Sequence, residues 1–147
     1  DVQVAENLNA QWAEANIRVK IRQWEFQSLM SEVKKGEFDM VLLGWSPSTG
    51  DADVGLFRPL HSSQFPPNSN RAFYSNPQVD KLLEDAQTEV DMEKRADLYK
   101  QAQAIIMDEA AWTFLYYPKQ ALAVRSNVSG IEILPTEHII LEGVRKN

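Results

Sequence analysis

The 147-residue chain has no cysteine and only two histidines, His61 and His138. The first absence excludes disulfide frameworks, thiolate metal sites, cysteine nucleophiles and thiol redox chemistry, and it says little about compartment, because exported bacterial domains often lack cysteine. The second leaves few imidazoles for metal or acid–base work, and neither histidine has a second histidine or a cysteine at ligand spacing. Basic residues are outnumbered, fifteen against twenty-one acidic ones, for a formal charge of -6. With no basic patch to offset that charge, a polyanion is repelled and nucleic acid is not an expected partner. No apolar run approaches the roughly 20 residues that cross a bilayer, and the N-terminus lacks a basic segment followed by an apolar one. The chain opens on Asp1-Val2-Gln3 without an initiator methionine, so a missing leader is no sign of cytoplasmic residence. What is present is ordinary globular material: 44% apolar and 24% charged residues, enough for a core, with no repeat or low-complexity tract.

Periodicity sketches the elements. Ala5, Leu8, Trp12 and Ala15 recur at spacings of three and four and predict an amphipathic helix. Ile17, Val19 and Ile21 alternate with Arg18, Lys20 and Arg22, the pattern of a half-buried strand. Phe26, Leu29, Met30 and Val33 return to helical spacing, and Lys34-Lys35-Gly36 supplies a cationic last turn and a left-handed stop. Phe38 to Trp45, apolar without alternation from Met40 to Leu43, reads as a strand covered on both faces, completing a βαβ unit. Residues 46–76 read as a long loop punctuated by Pro47, Gly50, Gly55, Pro59, Pro66 and Pro67, ordered by Phe57, Leu60, Phe65, Phe73 and Tyr74 packing back on the body. Asn76-Pro77 predicts a capped helix start, with Val79, Leu82, Leu83, Ala86 and Val90 as the buried stripe. Asp91 caps a second helix to about Asp108, with Leu98, Tyr99, Ala102, Ile105 and Ile106 inward, giving an antiparallel helical pair. Trp112 to Tyr117 and Ala121 to Val124 read as short strands, and Ile131, Ile133, Ile139, Ile140 and Leu141 make the tail more apolar than a free tail should be.

The chemistry concentrates in Gly44-Trp45-Ser46-Pro47-Ser48-Thr49-Gly50-Asp51-Ala52-Asp53, a polar loop at the carboxyl end of the second predicted strand. Ligands of open α/β sheets bind at such ends, and hydroxyls, free amides and carboxylates beside a large aromatic suit hydrogen bonding and stacking. The plainer alternative is a turn with Asp51 as a helix cap. Gly44-x-Ser46-x-Ser48 lacks the closing glycine of a nucleophile elbow, which disfavours a serine hydrolase. Asp51-x-Asp53-x-Gly55 opens like a calcium loop, yet its final bidentate position falls on Ser62, so no metal or other cofactor is expected. His61 and His138 are expected at the surface or in loops, and Trp12, Trp24, Tyr99, Trp112, Tyr116 and Tyr117 in the core or half-buried.

The loop, followed in order by Phe73-Tyr74-Ser75-Asn76-Pro77-Gln78-Val79-Asp80, then Arg95-Ala96-Asp97-Leu98-Tyr99-Lys100-Gln101-Ala102-Gln103 and Val128-Ser129-Gly130, resembles the C-terminal part of the family 5 solute-binding proteins, the dipeptide, oligopeptide, nickel and glutathione receptors of bacterial ABC importers. Trp45-Ser46-x-Ser48-Thr49-Gly50-x-Ala52-Asp53, the Pro66-Pro67 pair and Ala72-Phe73-Tyr74-Ser75-Asn76 are most similar to its glutathione-binding members. The resemblance implies an α/β class, one truncated lobe of a type II periplasmic-binding-protein-like fold spanning residues 1–147, whose residues 125–147 form a tail that normally returns to another lobe. It implies a non-enzymatic receptor outside the cytoplasm, in a periplasm or lipid-anchored, that hands a short peptide to membrane permease subunits. Glutathione or a similar γ-glutamyl peptide is the expected ligand; di- or oligopeptides and nickel complexes are alternatives, and a protein-interaction module is the remaining rival. The implied ligand-binding residues are Gly44, Trp45, Ser46, Ser48, Thr49, Asp51 and Asp53, with Arg71 for a ligand carboxylate. Serine at position 48 stands where peptide-binding relatives carry an aspartate for the ligand's α-amino group. Apolar surface left without its other lobe is expected to promote self-association.

Overall fold

The computed structural model describes residues 2–147, and the chain divides into two compact units, residues 1–44 and 45–147. In the first, helix α1 (Val2–Glu14) ends at Asn16, which takes a left-handed φ of 60°. Helix α2 (Phe26–Lys35) starts at Glu25, whose carboxylate accepts the Gln27 and Ser28 amides at 2.9 and 3.2 Å, and these bonds hold that carboxyl below its usual range. It ends at Gly36, φ 73°, where a side chain would be strained. Met30 and Val33 on this helix are buried.

The second unit is built on helices α3 (Ala52–Leu60), α4 (Pro77–Thr88) and α5 (Met92–Asp108), with a 3-10 turn at Ser62–Gln64. Asn76 caps α4 by accepting the Gln78 and Val79 amides, with Pro77 at the first position, where a missing N–H costs nothing. Asp91 caps α5 through the Glu93 and Lys94 amides. Their facing stripes, Val79, Leu83 and Ala86 against Tyr99, Ala102 and Ile106, enclose Leu60 of α3 and form the core, with Leu56, Phe57, Leu82, Leu98, Ile105 and Trp112 packed around it. The far end of α5 is tied to the start of α4 by Glu109, which accepts the Tyr74 hydroxyl at 2.6 Å and Asn76 Nδ2 at 2.8 Å. The same bonds hold the Glu109 carboxyl low, while burial and then Glu109 push the Tyr74 hydroxyl up.

Four two-residue strands follow, β1 (Val128–Ser129), β2 (Glu132–Ile133), β3 (Ile139–Ile140) and β4 (Arg145–Lys146). They form two separate antiparallel ladders: β1 with β4, Val128 opposite Lys146, and β2 with β3, Glu132 opposite Ile140. Gly130, φ +81°, lies so close to the Gly143 carbonyl that a Cβ there would collide with it.

Helices α1, α2, α4 and α5 stand where periodicity and caps put them; α3 and the strands do not. Residues 17–24 and 38–45 form no ladder, and Val41, Leu42 and Leu43 are half-buried with Met40 exposed, rather than covered on both faces. A strand exists through its neighbour, and no described segment exchanges ladder bonds with these stretches, so the βαβ unit is not paired within this chain. Trp112 to Tyr117 and Ala121 to Val124 likewise form no ladder, and Phe114, Leu115, Tyr116, Tyr117, Leu122 and Val124 are exposed. Trp24, Tyr116 and Tyr117 are therefore exposed rather than core or half-buried. The expected loop over 46–76 contains α3 and the 3-10 turn. Val90, exposed, lies beyond the end of α4 at Thr88, where the helical phase that would have buried it has stopped.

Candidate functional site

Trp45 opens the second unit, and its indole Nε1–H donates to the Val54 carbonyl at 3.1 Å, pinning the start of the loop to the first turn of α3. Between these points the chain reverses at Pro47–Gly50, the Gly50 amide donating to the Pro47 carbonyl at 3.4 Å with Gly50 at φ +69°. Ser46, Ser48 and Thr49 offer hydroxyls along this turn, with Thr49 exposed and its Oγ1 accepting the Asp51 amide at 3.3 Å. The loop thus presents hydroxyls on a backbone held at both ends.

Its far end is a charged latch. Asp51 caps α3 by accepting the Asp53 amide at 2.8 Å. It also receives a bidentate pair from Arg95 of α5, Nη1 to Oδ2 at 3.0 Å and Nη2 to Oδ1 at 2.8 Å. Arg95 further donates from Nε to the Ala86 carbonyl of α4 at 3.1 Å and from Nη2 to the Tyr99 hydroxyl at 3.1 Å. One guanidinium therefore joins α3, α4 and α5. Arg95 first, then the Asp53 amide, hold the Asp51 carboxyl below its usual range; Asp51 in turn raises Arg95, and burial raises the Tyr99 hydroxyl. Asp53 Oδ1 accepts Gln87 Nε2 of α4 at 2.7 Å. Thr49, Asp51, Asp53, Val54, Gln87 and Arg95 line a solvent-open depression of about 490 Å3.

Arg71 is placed differently. Its guanidinium carbon stands 6.0 Å from the centroid of the Trp45 ring, and its buried Nε has no hydrogen-bond acceptor. Asn70, fully buried, fixes the chain beside it: Nδ2 donates to the carbonyls of His61 at 3.0 Å and Tyr74 at 2.8 Å, and Oδ1 accepts the Tyr74 amide at 3.2 Å. The residues singled out by sequence thus fall into two groups, Trp45 with Arg71 and Thr49, Asp51 and Asp53 with Arg95 and Gln87. Gly44 ends the first unit and is described with it.

His61 lies in the bend between α3 and the 3-10 turn, a loop position as expected, but it is buried rather than at the surface: it is 4% exposed and stacked on Phe57 one helical turn earlier, with ring centroids 4.2 Å apart. Its Nδ1 accepts the Ser63 amide at 3.0 Å, while Nε2 lies 3.3 Å from Glu84 and 3.8 Å from Asp80. Ser63 Oγ is 2.8 Å from the same Nδ1, but that nitrogen's single lone pair already receives the Ser63 amide, so the pair is a local turn and not an activated nucleophile. His138 is exposed, as expected, with Thr136 Oγ1 at 3.0 Å. Asn70 and Gln87 carry no motif, and Arg95, though it opens one of the strings that carry the resemblance, takes no role from sequence beyond its one-turn spacing to Tyr99. Among the described residues, no group of three or more histidines and carboxylates is placed to hold a metal.

Residues 1–67 match the family model described as bacterial extracellular solute-binding proteins, family 5, middle. The chain is similar to the probable di/tripeptide-binding protein 5 of Pseudomonas aeruginosa, 34% identical over 131 residues that cover 89% of this chain and 25% of that protein. It is also similar to the glutathione-binding protein GsiB of Salmonella choleraesuis, 39% identical over 132 residues, 85% of this chain and 26% of that one. Among solved structures, the dipeptide-binding protein of Pseudoalteromonas sp. SM9913 in complex with Met-Leu superposes with a TM-score of 0.79 at 24% identity, over 99% of this chain and 29% of that one. The chain spans about a quarter of the length of the relatives it matches. The α/β fold expected from sequence is that of the periplasmic binding proteins, and the relatives are binding proteins rather than enzymes.

Proposed function

We propose that this chain belongs to the family 5 solute-binding proteins, as the match over residues 1–67 and the similarity to peptide-binding relatives support, and that it forms part of a receptor lobe that captures a short peptide outside the cytoplasm and hands it to an ABC permease. The ligand class is di- and tripeptides, glutathione among them, in keeping with the names of the two relatives. In this reading Trp45, Ser46, Ser48, Thr49 and Arg71 face the ligand, while Asp51 and Asp53 hold the loop that presents them.

The observation that carries the reading is the loop itself. Three hydroxyl residues stand on a segment anchored at Trp45 by Val54 and at Asp51 by Arg95. Such a surface hydrogen-bonds a peptide backbone without having to order itself first, which removes part of the cost of binding. With serine at position 48 and Asp51 already paired, the loop offers a ligand ammonium no carboxylate at either position. A γ-glutamyl peptide, whose α-amino and α-carboxylate sit on one group, depends less on such a carboxylate than an ordinary dipeptide does.

Calorimetric titration of the 147-residue chain with glutathione and with alanyl-leucine tests the reading. Saturable heat with either peptide, weakened by Ser48→Ala with the fold unchanged, is the expected result. No binding of either at millimolar concentration by a receptor containing this chain at full length overturns it. Tighter binding of glutathione than of alanyl-leucine supports the γ-glutamyl class; the reverse order assigns ordinary dipeptides.

A further inference from the structure

The tip of the β2–β3 hairpin comes back to the candidate loop. It is a turn from Leu134 to His138, closed by the Glu137 amide on the Leu134 carbonyl and the Leu134 amide on the His138 carbonyl, both at 2.9 Å. A ladder two residues long does not hold a hairpin by itself, and the half-buried Ile133, Leu134 and Ile140 supply the rest. Glu137 takes φ 69°, where glycine is the unstrained residue, so the tip keeps a costly shape. Thr136 on this tip is half-buried, and its Oγ1 lies 3.0 Å from Nδ1 of the exposed His138. With the hydroxyl on His138, the other branch, methyl Cγ2, meets the loop: a Cβ at Gly50 would stand 3.5 Å from it, an ordinary van der Waals distance. The hairpin therefore stops within one side-chain atom of the loop. The two ends of that loop are anchored, at Trp45 by Val54 and at Asp51 by Arg95. The reversal between them is closed more weakly, by the 3.4 Å bond from the Gly50 amide to the Pro47 carbonyl and the 3.3 Å bond from the Asp51 amide to Thr49 Oγ1.

We propose that Thr136 is a positioning residue for this loop: aimed by His138, its methyl rests on Gly50 and holds the Pro47–Gly50 turn, with the hydroxyls of Ser46, Ser48 and Thr49, in the shape that meets a ligand. That the loop meets a ligand rests on the peptide reading above; the strut between hairpin and turn does not. A turn held in place beforehand loses less freedom when a peptide binds. Threonine has a single methyl and needs His138 to aim it. Valine carries a methyl on both branches and needs no such partner.

The test reads amide hydrogen exchange at Gly50 in the 147-residue chain, with glutathione and alanyl-leucine titrated into the parent and each variant. Thr136→Ser keeps the hydroxyl and removes the methyl; it is expected to speed that exchange and to weaken peptide binding by up to about fourfold, the worth of one buried methyl group. Thr136→Val should match the parent. His138→Ala should reproduce part of the serine effect in the parent and none of it in Thr136→Val. The Leu134 and Ala102 amides, in the hairpin and in the core, should keep their rates throughout, which separates the turn from the fold. Parent rates at Gly50 in every variant overturn the contact, and so does a loss in Thr136→Val equal to that in Thr136→Ser. Peptide bound equally by the parent and by a variant whose Gly50 exchange has risen overturns the positioning role and leaves the peptide reading standing. Faster exchange in Thr136→Ser with neither peptide bound by the parent overturns the peptide class and supports the strut alone.

Discussion

Two arginines meet the Trp45–Asp53 loop, and they are bonded in opposite ways. Arg95 reaches it from α5 with its donors committed, two to Asp51, one to the Ala86 carbonyl and one to the Tyr99 hydroxyl. Arg71 lies over Trp45 at the other end with no carboxylate on it. Arg95 is bonded to three partners inside the protein and serves the fold, whereas the Arg71 Nε–H is buried without an acceptor. The difference is one of partners, not of burial, since both are only partly exposed.

The largest effect should come from the support of Arg71. Asn70→Ala leaves two carbonyls and an amide without their partner in a fully buried position, and should cost about 3 kcal/mol in urea unfolding. Arg95→Met comes next, at roughly 2 kcal/mol, because it frees Asp51 and unties three helices at once. Asp51→Asn should cost less, about 1 kcal/mol, since asparagine is also a good cap, and the Arg95→Met, Asp51→Asn double variant should lose less than the sum of the singles. Arg71→Met should fall within about 0.5 kcal/mol of the parent, because it removes no internal hydrogen bond and keeps the apolar stem on Trp45. A loss as large as that of Arg95→Met would erase the distinction between the two arginines.

Acid sharpens the comparison further. The Asp51 and Glu109 carboxyls are held below their unfolded values, by Arg95 and by Tyr74 respectively. Their contribution is complete above the unfolded carboxyl range near pH 4 and is lost as pH falls through the lower folded values. Both groups are well exposed, so the effect is small. The urea midpoint should drop as the solution is taken from about pH 5 to about pH 3, less steeply in Asp51→Asn, and to the same extent in Arg71→Met as in the parent.

Local chemistry made the helices legible. Asn76-Pro77, Asp91 and Lys34-Lys35-Gly36 mark ends through bonds to residues two to four away, and the structure puts boundaries at each. Helix α3 was hidden because its Gly55 and Pro59 read as loop punctuation, although Asp51 was recognisable as a cap. The strands failed for the opposite reason: alternation at 17–24 and apolar continuity at 40–43 describe a surface, while a ladder needs a neighbour that no local pattern specifies. At the candidate site the loop could be read and its partners could not. Arg95 is 44 residues from Asp51, and nothing in either neighbourhood announces the other. The loop position of His61 was legible and its burial was not, because a lone histidine in a Ser- and Pro-rich stretch looks solvated, whereas its spacing from Phe57 stacks the two rings.

The segment after α5 carries a hazard of another kind. Phe114, Leu115, Tyr116 and Tyr117 are exposed on a chain that pairs with no strand, and together with Thr113 they make an uncharged, β-prone window. Such a window can template fibrils when copies of the protein meet at high concentration. Pro118 and Lys119 close it immediately, one unable to donate to a growing ladder and the other repelling its own copies in a register stack. These two residues are expected to limit assembly through this window. The paired substitutions Pro118→Thr and Lys119→Val should shorten the lag of thioflavin-detected assembly without shifting the urea midpoint.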